Sequence, residues 1–382
     1  MEGQMDCNVS IARCEDYSAD TVRAALTEVL APMGGLSWVK PGMKIAIKTN
    51  LVSKMKPETA VVTHPALVSE LCRMLSEAGA EVIVGDSPGG PFTSVWVSNI
   101  YNGTGIRAVE QAGARLNCDF SVCEAELPEG VSVKSFPYTA WLRDADAVID
   151  FAKLKTHGLT GLTCAVKNFF GVIPGTRKPE FHYMHPRVDS FCNMLIDLNL
   201  YVKPRLTLVD AVLCMEGNGP TQGTPRHMGA VIAADTPFNA DLLCAHLIGL
   251  ENDSAPTIRA AIARGLCPDS WGKLKVHGNP GEFAQPDFEK LPVREDIKFR
   301  KKSPIVNKFM ERNFGSGPKV GKDVCVGCGK CSEACPMKAI VIQNGKAQIN
   351  RDICIRCFCC QEFCPKGAIS VYRPFLARLL GK

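Results

Sequence analysis

Two runs of cysteines near the C-terminal end have the spacing of metal ligands. Each run reads C-x2-C-x2-C-x3-C-P, and the second run, from Cys354, repeats the first, from Cys325, at an offset of 29 residues. Three closely spaced thiolates can hold three corners of a [4Fe–4S] cubane, and the fourth cysteine of one run then ligates the cluster of the other run. Structural zinc sites prefer paired C-x2-C units with a longer gap. The spacing therefore predicts two [4Fe–4S] clusters that transfer single electrons at low potential.

The repeat also predicts which cysteine holds which cluster. A ninth cysteine of this region, Cys359, lies beside Cys360 and is predicted not to be a ligand. Gly327 and Gly329 allow tight turns and let backbone N–H groups reach the sulfur atoms. The expected ligands are Cys325, Cys328, Cys331 and Cys364 for cluster one, and Cys354, Cys357, Cys360 and Cys335 for cluster two.

A second group of polar residues follows the predicted strands of the larger N-terminal part. Several are cations or amides, which could bind a small anionic ligand at a helix N-terminus. A solvated basic loop is an equally good interpretation of the sequence alone. The candidate binding residues are Lys48, Asn50, Lys153, Lys167, Asn168 and Asp210, and the candidate catalytic residues are His157, Lys155, His64, Asp86 and Glu216.

Acidic and aromatic residues provide further candidates. Asp210, Glu216 and Asp241 could bind a cation or act as bases, although Asp241 could equally cap its helix or face solvent. The segment Phe181–His185 contains two histidines and could form a lid over a site. Lys178, just before this segment, would add positive charge there. A single histidine is more often a structural residue than a ligand or proton donor.

The candidate residues need a scaffold, and the alternation of segments predicts one. Short β-branched runs alternate with helical stretches from about residue 40 to 280. This pattern predicts an α/β fold with a mostly parallel sheet and helices on both faces, plus a small C-terminal α+β ferredoxin module. Such sheets bind ligands beyond the carboxyl ends of their strands, where the candidates lie. Predicted strands are 43–48, 81–84, 147–151, 205–209 and 229–233, and predicted helices are 65–79, 105–114, 187–201, 237–249 and 256–264, with another that opens near Thr160.

Composition predicts the domain organisation. Residues 1–267 form the α/β domain, and residues 268–318 are a Pro/Gly-punctuated linker with a short helix around 303–313. Residues 319–373 form the ferredoxin module, and residues 374–382 are a basic tail. The ten cysteines from Cys7 to Cys267 are scattered singly, as expected for reduced thiols in a cytoplasmic protein.

Charge and hydropathy exclude some function classes. The formal net charge is +5, and residues 319–373 contain nine basic and four acidic residues, so the α/β domain is near neutral. A nucleic-acid surface would need a basic face on that domain, so no nucleic-acid partner is expected. The basic module either compensates the anionic clusters or docks an acidic partner. No signal peptide and no transmembrane segment are apparent, which predicts a cytoplasmic location.

The order and content of the N-terminal motifs resemble the domain of unknown function 362 family. The similarity covers about residues 8–270, followed by a two-cluster ferredoxin domain, as in many members of that family. The resemblance implies this architecture and these pocket residues, but it implies no reaction. The motifs are Lys48-x-Asn50, Thr63-His64-Pro65, Gly85-Asp86-Ser87-Pro88, Lys155-Thr-His157 with Lys167-Asn168, Asp210 with Glu216-Gly217-x-Gly219-Pro220, and Asp235 with Asp241.

Three functions are consistent with the sequence. In an iron–sulfur oxidoreductase, the clusters would reduce a small anion held by the lysines, or a second organic cofactor such as a flavin, because single electrons usually need a one-to-two-electron converter. His157 or His64 would supply protons, with Asp86 or Glu216 orienting them. In a relay or assembly protein, the clusters would pass electrons to or from a partner protein. In a non-redox enzyme, they would only brace the fold. The oligomeric state is not predicted.

Overall fold

The computed structural model describes residues 8–293 and 316–372. The predicted short helix around 303–313 and the predicted basic tail, 374–382, lie outside these residues. No disulfide joins the scattered cysteines from Cys14 to Cys267. None of the described helices is both long and apolar enough to cross a membrane. The cytoplasmic location stays a prediction.

A nine-stranded mixed sheet organises the α/β domain. Its order is β11-β1-β10-β9-β7-β2-β3-β4, with β8 paired to β7. The five strands from β9 to β4 run parallel, whereas β10 is antiparallel to both neighbours. The strands are β1 Val9–Arg13, β2 Lys44–Lys48, β3 Glu81–Gly85, β4 Arg115–Leu116, β7 Ala147–His157, β8 Gly161–Thr163, β9 Leu206–Glu216, β10 Thr224–Ala234 and β11 Val276–His277, and a separate hairpin pairs β5 Val122–Glu126 with β6 Ser135–Thr139.

Helices cover both faces of this sheet because its strands alternate apolar side chains between two cores. On β7, Ile149 and Phe151 face the core that contains α1 and α2, while Ala152 and Leu154 face the core that contains α7. The α/β fold with helices on both faces is thereby confirmed. The helices are α1 Ala19–Leu30, α2 Pro65–Glu77, α3 Ser94–Thr104, α4 Ala165–Asn168, α5 Lys178–Met184, α6 Val188–Val202, α7 Pro237–Leu247 and α8 Pro256–Ala263.

Three local predictions were wrong. The segment after Thr160 forms strand β8, and the helix that carries Lys167 begins only at Ala165, because residues 161–163 pair with the extended end of β7. The predicted helix 105–114 is a run of 3-10 turns, Ile106–Ala112, between two glycines with positive φ. The aromatic segment Phe181–His185, predicted as a loop, lies mostly within helix α5, where Phe181 packs into the core; its role as a lid stays a prediction.

The ferredoxin module is folded from two similar halves. Its strands pair as β12 with β15 and β13 with β14. The sequence repeat extends to backbone conformation: Gly327 (φ 68°) and Gly329 (φ 81°) correspond to Arg356 (φ 55°) and Phe358 (φ 64°) in the second half. The elements are β12 Gly317–Val320, α9 Lys330–Glu333, β13 Ile340–Gln343, β14 Lys346–Ile349, α10 Cys359–Glu362 and β15 Ile369–Tyr372.

Part of the predicted linker packs on the α/β domain. Strand β11 pairs with β1. Phe283 and Phe288 are buried in the core beside α7. The predicted domain boundaries stay a prediction, but at least residues 276–288 contribute to the α/β core.

Candidate functional site

Thiols of the two cysteine runs lie close enough to one another in the ferredoxin module to raise each other's pKa. Burial, followed by the neighbouring thiols of Cys364 and Cys325, raises the pKa of Cys331. Burial also raises the pKa of Cys354, with Cys357 and Cys335 as its neighbouring thiols. Thus Cys364 of the second run lies near thiols of the first run, and Cys335 of the first run lies near thiols of the second. This crossed arrangement is the one that two cubanes require.

Backbone N–H groups are directed at the cysteine sulfur atoms. Ala368 donates to Cys364 Sγ at 3.2 Å, and Ala339 donates to Cys335 Sγ at 3.3 Å. Such N–H···S contacts stabilise thiolates and tune cluster potential. The residues therefore fit two [4Fe–4S] clusters, which would supply one-electron chemistry when bound. Further N–H···S contacts join Ala347 to Cys325 and Arg356 to Cys354.

The module docks on the α/β domain through a glycine-rich turn. The side chain of Gln361, which is buried, donates to Asn218 Oδ1 (2.7 Å), Asn218 O (3.2 Å) and Gly219 O (3.1 Å). Gln222 Nε2 donates to Cys364 O at 3.1 Å. Gly89 allows close approach on the other side, because a Cβ there would lie 2.7 Å from the Phe363 ring. The turn after β9 thus positions the cluster-bearing loop over the sheet.

A cavity of about 420 Å³ lies between the carboxyl edge of the sheet and the ferredoxin module. The module contributes Phe363 and Cys364 to its lining. Because Cys364 is the predicted fourth ligand of cluster one, a molecule in this cavity would contact a cluster ligand. Ligand pockets commonly measure about 300–1,000 Å³. The charged lining residues are five lysines, Lys48, Lys54, Lys167, Lys178 and Lys330, and two carboxylates, Asp86 and Glu362.

A larger groove, of about 1380 Å³, lies at the opposite, amino ends of the strands. It is lined by Met43, Ala147 and Arg205, which lie at or just before the starts of β2, β7 and β9. None of the candidate catalytic or binding residues lines it. Ligands of parallel sheets bind beyond the carboxyl ends, so the smaller cavity is the better candidate site.

The end of β2 forms a buried ion pair in the cavity wall. Lys48 Nζ lies 2.8 Å from Asp86 Oδ1, and it also donates to Asn168 Oδ1 at 3.0 Å. Asp86 Oδ2 accepts from the backbone N–H of Leu51 at 2.8 Å. Both charged groups are almost fully buried. Their pairing fixes the ends of β2 and β3 relative to each other.

Asn168 connects this ion pair to three further groups. Its Nδ2 donates to Asp150 Oδ1 at 2.6 Å, and its Oδ1 accepts from Asn50 Nδ2 at 3.2 Å. Asn50 Oδ1 in turn accepts from Lys155 Nζ at 2.5 Å. Burial, then Lys167 and Lys153, lowers the pKa of Lys155 well below its usual value. Lys155 lies behind the cavity wall, so its amine acts on the cavity through Asn50.

His157 contacts the module directly. Its Nε2 lies 2.9 Å from Glu362 Oε1, and its Nδ1 accepts backbone N–H groups from Leu159 (3.0 Å) and Thr160 (3.4 Å). Because Nδ1 accepts, the proton of the neutral ring is assigned to Nε2, which donates to Glu362. Burial, then Lys167, lowers the pKa of His157 to about 4. Burial alone would raise the pKa of Glu362, but Lys167 and His157 lower it below its usual value.

Lys178 lines the cavity beside an aromatic ring. Its Nζ lies 5.8 Å from the centroid of Phe170 and donates to the backbone oxygen of Ser87. No carboxylate lies within ion-pairing distance of it in residues 8–293 and 316–372. Lys48, in contrast, pairs with Asp86, and Lys167 lies 3.6 Å from Glu362. Burial lowers the pKa of Lys178 to about 8.

Several sequence candidates lie outside the cavity lining. Lys153 Nζ forms a fully buried ion pair with Asp210 Oδ2 at 2.7 Å. Asp210 also accepts from the hydroxyl of Tyr17 at 3.0 Å and from the backbone N–H of His64 at 2.9 Å. The rings of Tyr17 and His64 stack at 3.5 Å. These residues form a second polar cluster that connects β7, β9 and the start of α2.

Glu216 and Asp241 also serve the scaffold. Glu216 lies 3.4 Å from Arg226 and accepts the backbone N–H of Glu289 at 2.9 Å. Asp241 accepts the backbone N–H groups of Ala165 (2.7 Å) and Val166 (3.4 Å) and so caps α4. The sequence allowed Asp241 to cap its own helix or to face solvent, but it lies buried within α7 and caps the neighbouring helix α4 instead.

Sequence patterns gave no signal for some lining residues. Glu362 and Phe363 lie inside the second cysteine run, whose spacing identifies only the predicted cluster ligands. Trp96 lies in α3, outside every motif, and its Nε1 donates to Gly89 O at 2.9 Å. The second cysteine run has Phe358 where the first has Gly329, and the side chain of Phe358 is buried in the α/β core. This difference between the two repeats was the sequence signal that the second run packs on the α/β domain.

Comparison with known proteins gives consistent assignments. The family model described as "Domain of unknown function" (DUF362) matches residues 45–246, and a 4Fe-4S dicluster domain matches residues 318–365. A thylakoid-associated protein of Synechocystis sp. is 31% identical over 299 residues, which are 76% of this chain and 90% of that protein.

Two solved structures are similar over part of the chain. One is the lactate racemase apoprotein from Thermoanaerobacterium thermosaccharolyticum (TM-score 0.38, 13% identity, 62% of this chain). The other is a protein from Thermotoga maritima (TM-score 0.35, 14% identity, 56% of this chain). The chain spans only 55% of the length of either. The sequence matches, by contrast, cover more than half of the chain, and it therefore belongs to the domain of unknown function 362 family, with a C-terminal 4Fe-4S dicluster domain.

Proposed function

We propose that the protein is an iron–sulfur oxidoreductase that passes electrons from cluster one to a small anionic molecule bound in the 420 Å³ cavity. One observation supports this most directly: Cys364, a predicted ligand of cluster one, lines the same cavity as the lysines at the strand ends. When bound, the clusters would supply electrons one at a time to a molecule held in this cavity. The occupant is either the substrate or a second cofactor such as a flavin, which converts single electrons into pairs.

The charges of the cavity support an anionic occupant. Five lysines and two carboxylates line it, and the two carboxylates are engaged by Lys48 and Lys167. Lys178 retains positive charge near neutral pH, since its pKa is lowered only to about 8. A carboxylate or phosphate group beside Lys178 would supply the missing counter-charge. Charge-assisted hydrogen bonds of this kind contribute about 1.5–3 kcal/mol each.

Aromatic side chains support an organic rather than an inorganic occupant. Phe170, Phe363 and Trp96 line the cavity together with Pro88 and Pro179. Apolar and aromatic walls with a few placed cations are typical of sites for organic cofactors and substrates. A small inorganic anion alone would leave this apolar surface in contact with water.

Proton handling can be assigned to groups of this cavity. Lys178 Nζ holds a proton at neutral pH and can donate it to a reduced molecule, because a pKa near the working pH favours transfer in both directions. His157 keeps its proton on Nε2 and donates it to Glu362, so it orients that carboxylate. Lys155 positions Asn50. Lys153, Asp210 and His64 would act only through the scaffold.

A binding experiment with flavin mononucleotide as the probe tests the proposal. The full chain, purified anaerobically with both clusters loaded, is first denatured so that any retained organic molecule can be identified. The same protein is then titrated with the probe, followed by quenching of flavin fluorescence. We expect binding that weakens at least about tenfold in Lys178→Met, because one charge-assisted contact is lost.

A matched variant controls for the loss of positive charge. Lys134 is exposed on the β5–β6 hairpin, away from the cavity, so Lys134→Met should bind the probe as the unmodified chain does. If neither a retained organic anion nor binding of the probe is found, the proposal is wrong. Equal binding by the two lysine variants would place the ligand elsewhere.

A further inference from the structure

Two adjacent glycines allow two aromatic rings to pack directly on one loop of the cavity wall. The loop follows β3 and continues the motif Gly85-Asp86-Ser87-Pro88. A Cβ on Gly90 would lie 2.7–2.8 Å from three ring atoms of Trp96, and a Cβ on Gly89 would lie 2.7 Å from the Phe363 ring. Only a residue without a side chain leaves room for each ring. Because Trp96 belongs to α3 and Phe363 to the ferredoxin module, the loop brings together rings from both parts of the chain.

The indole ring of Trp96 is fixed in position although it is exposed. Its Nε1 donates to Gly89 O at 2.9 Å, and part of the ring packs against Gly90. The side chain nevertheless stays 43% exposed and lines the cavity. An apolar ring gains stability when it is removed from water. A ligand that covers this ring would therefore gain that stability without the entropic cost of ordering the side chain.

The loop under the rings is held from two other sides. The N–H of Gly89 donates to Val52 O at 3.0 Å. Gly175, which precedes α5, approaches so closely that a Cβ there would collide with the backbone oxygens of Pro88 and Gly90. The loop and its rings are thus placed by contacts within the chain, and a site of this kind binds with little rearrangement.

A cation is anchored on the same loop. The ammonium group of Lys178 donates to Ser87 O, two residues before the Gly89 oxygen that accepts the indole N–H. Consecutive Cα atoms are about 3.8 Å apart, so the Cα atoms of Ser87 and Gly89 are separated by at most about 7.6 Å. Both side chains line the same cavity. One small molecule can therefore contact Lys178 and Trp96 together.

We propose that the ligand of the cavity carries a planar conjugated ring, which stacks on Trp96, and an anionic group, which binds Lys178. This inference rests on the proposed function and deepens it, because it defines the chemical class of the ligand. Aromatic rings attract each other in offset stacking, whereas an aliphatic anion would leave the indole ring in contact with water. Trp96 is thus a specificity-determining residue that selects ring-bearing anions over aliphatic anions of equal charge.

Two related compounds test for the ring. Flavin mononucleotide has a conjugated ring and a ribityl phosphate chain, and ribitol 5-phosphate has the same chain without the ring. Binding of each compound to the anaerobic full chain with loaded clusters is measured by calorimetry. We expect flavin mononucleotide to bind at least about tenfold more tightly than ribitol 5-phosphate, which is the contribution expected of one aromatic stacking contact.

Point variants assign the ring and the anionic group to separate residues. Trp96→Leu should weaken binding of flavin mononucleotide at least about tenfold and leave ribitol 5-phosphate unaffected. Trp96→Phe keeps an aromatic ring and should recover most of this loss. Lys178→Met should weaken both compounds. Trp38→Leu is the matched control, because Trp38 is half-buried in the larger groove at the other end of the strands; it should bind both compounds as the unmodified chain does.

The outcomes separate this inference from the proposed function. If ribitol 5-phosphate binds as tightly as flavin mononucleotide, or if Trp96→Leu binds the flavin as tightly as Trp38→Leu, the ring site is wrong, while binding that depends on Lys178 still supports the proposed function. An aliphatic anion released from the purified chain by denaturation would contradict only the ring site, and a conjugated one would support it. If neither compound binds and no organic molecule is released, both proposals are wrong.

Discussion

Asp241 should make the stability of the α/β domain depend on pH near neutrality. Its carboxyl group caps α4, the helix that carries Lys167 and Asn168. In the described parts of the chain, no basic side chain forms an ion pair with it. Burial therefore dominates and raises its pKa to about 7. The substitution Asp241→Asn keeps an acceptor oxygen for the cap and removes the ionisation.

The size of the effect follows from the shift. The pKa rises from 3.8 in the unfolded chain to about 7 in the folded one, and each unit corresponds to about 1.4 kcal/mol. Because the folded value is the higher, the stabilising contribution is complete below the unfolded pKa and is lost as pH rises to the folded pKa. Between about pH 5.5 and about pH 8.5, the unfolding free energy of Asp241→Asn should rise by about 2 kcal/mol relative to the unmodified chain.

Anaerobic urea unfolding, followed by far-ultraviolet circular dichroism at the two pH values, measures this difference. Asp197→Asn is the matched control, because Asp197 also accepts backbone N–H groups, from residues 131 to 133, but pairs with Arg264 at 2.8 Å. Its substitution leaves Arg264 without this partner and should destabilise the protein at both pH values. If Asp241→Asn lowers stability by the same amount at both values, Asp241 is ionised in the folded protein and the interpretation is wrong.

Three further predictions test the clusters and the interface. Cys359→Ala should retain the full iron content of two clusters, whereas Cys328→Ala should lose the iron of one, as measured by iron assay and visible absorbance. Gln361→Ala removes three interface hydrogen bonds and should lower the unfolding free energy by about 1–3 kcal/mol in thermal unfolding. The pKa of His157 is lowered from 6.5 to about 4, so its contribution is complete above pH 6.5 and is lost as pH falls toward 4. Between about pH 7 and about pH 5, the unfolding free energy of His157→Gln should therefore fall by about 2 kcal/mol less than that of the unmodified chain.

The sequence predicted which residues lie at the carboxyl ends of the strands better than it predicted which of them lie together in one site. Strand ends identified Lys48, Asn50 and Asp86 because parallel strands end at one edge, and these residues do line one cavity. The same rule placed Lys153 and Asp210 in that site, but they pair with each other, with Tyr17 and with the start of α2. Periodicity locates a residue along a strand, and it cannot tell which of two neighbouring clusters the side chain joins.

The contribution of the ferredoxin module to the cavity could not be predicted for a different reason. The motif Gly217-Asn218-Gly219 was visible as a tight turn, but its use as the acceptor for Gln361 depends on residues more than a hundred positions away. Phe358 is the exception. A bulky apolar residue in place of the repeat's Gly329, held at positive φ, would be unfavourable unless something buried it.

The placement of the module changes how its electrons can reach the α/β domain. A module on a flexible tether visits its acceptor at an effective concentration set by tether length. Here Phe358 is part of the α/β core, Glu362 pairs with His157, and Cys364 is part of the cavity wall. Transfer between cluster one and a bound molecule would then need no domain movement. It also follows that removing the module would destroy the cavity itself, so only point variants such as those of Lys178 can test binding without losing the site.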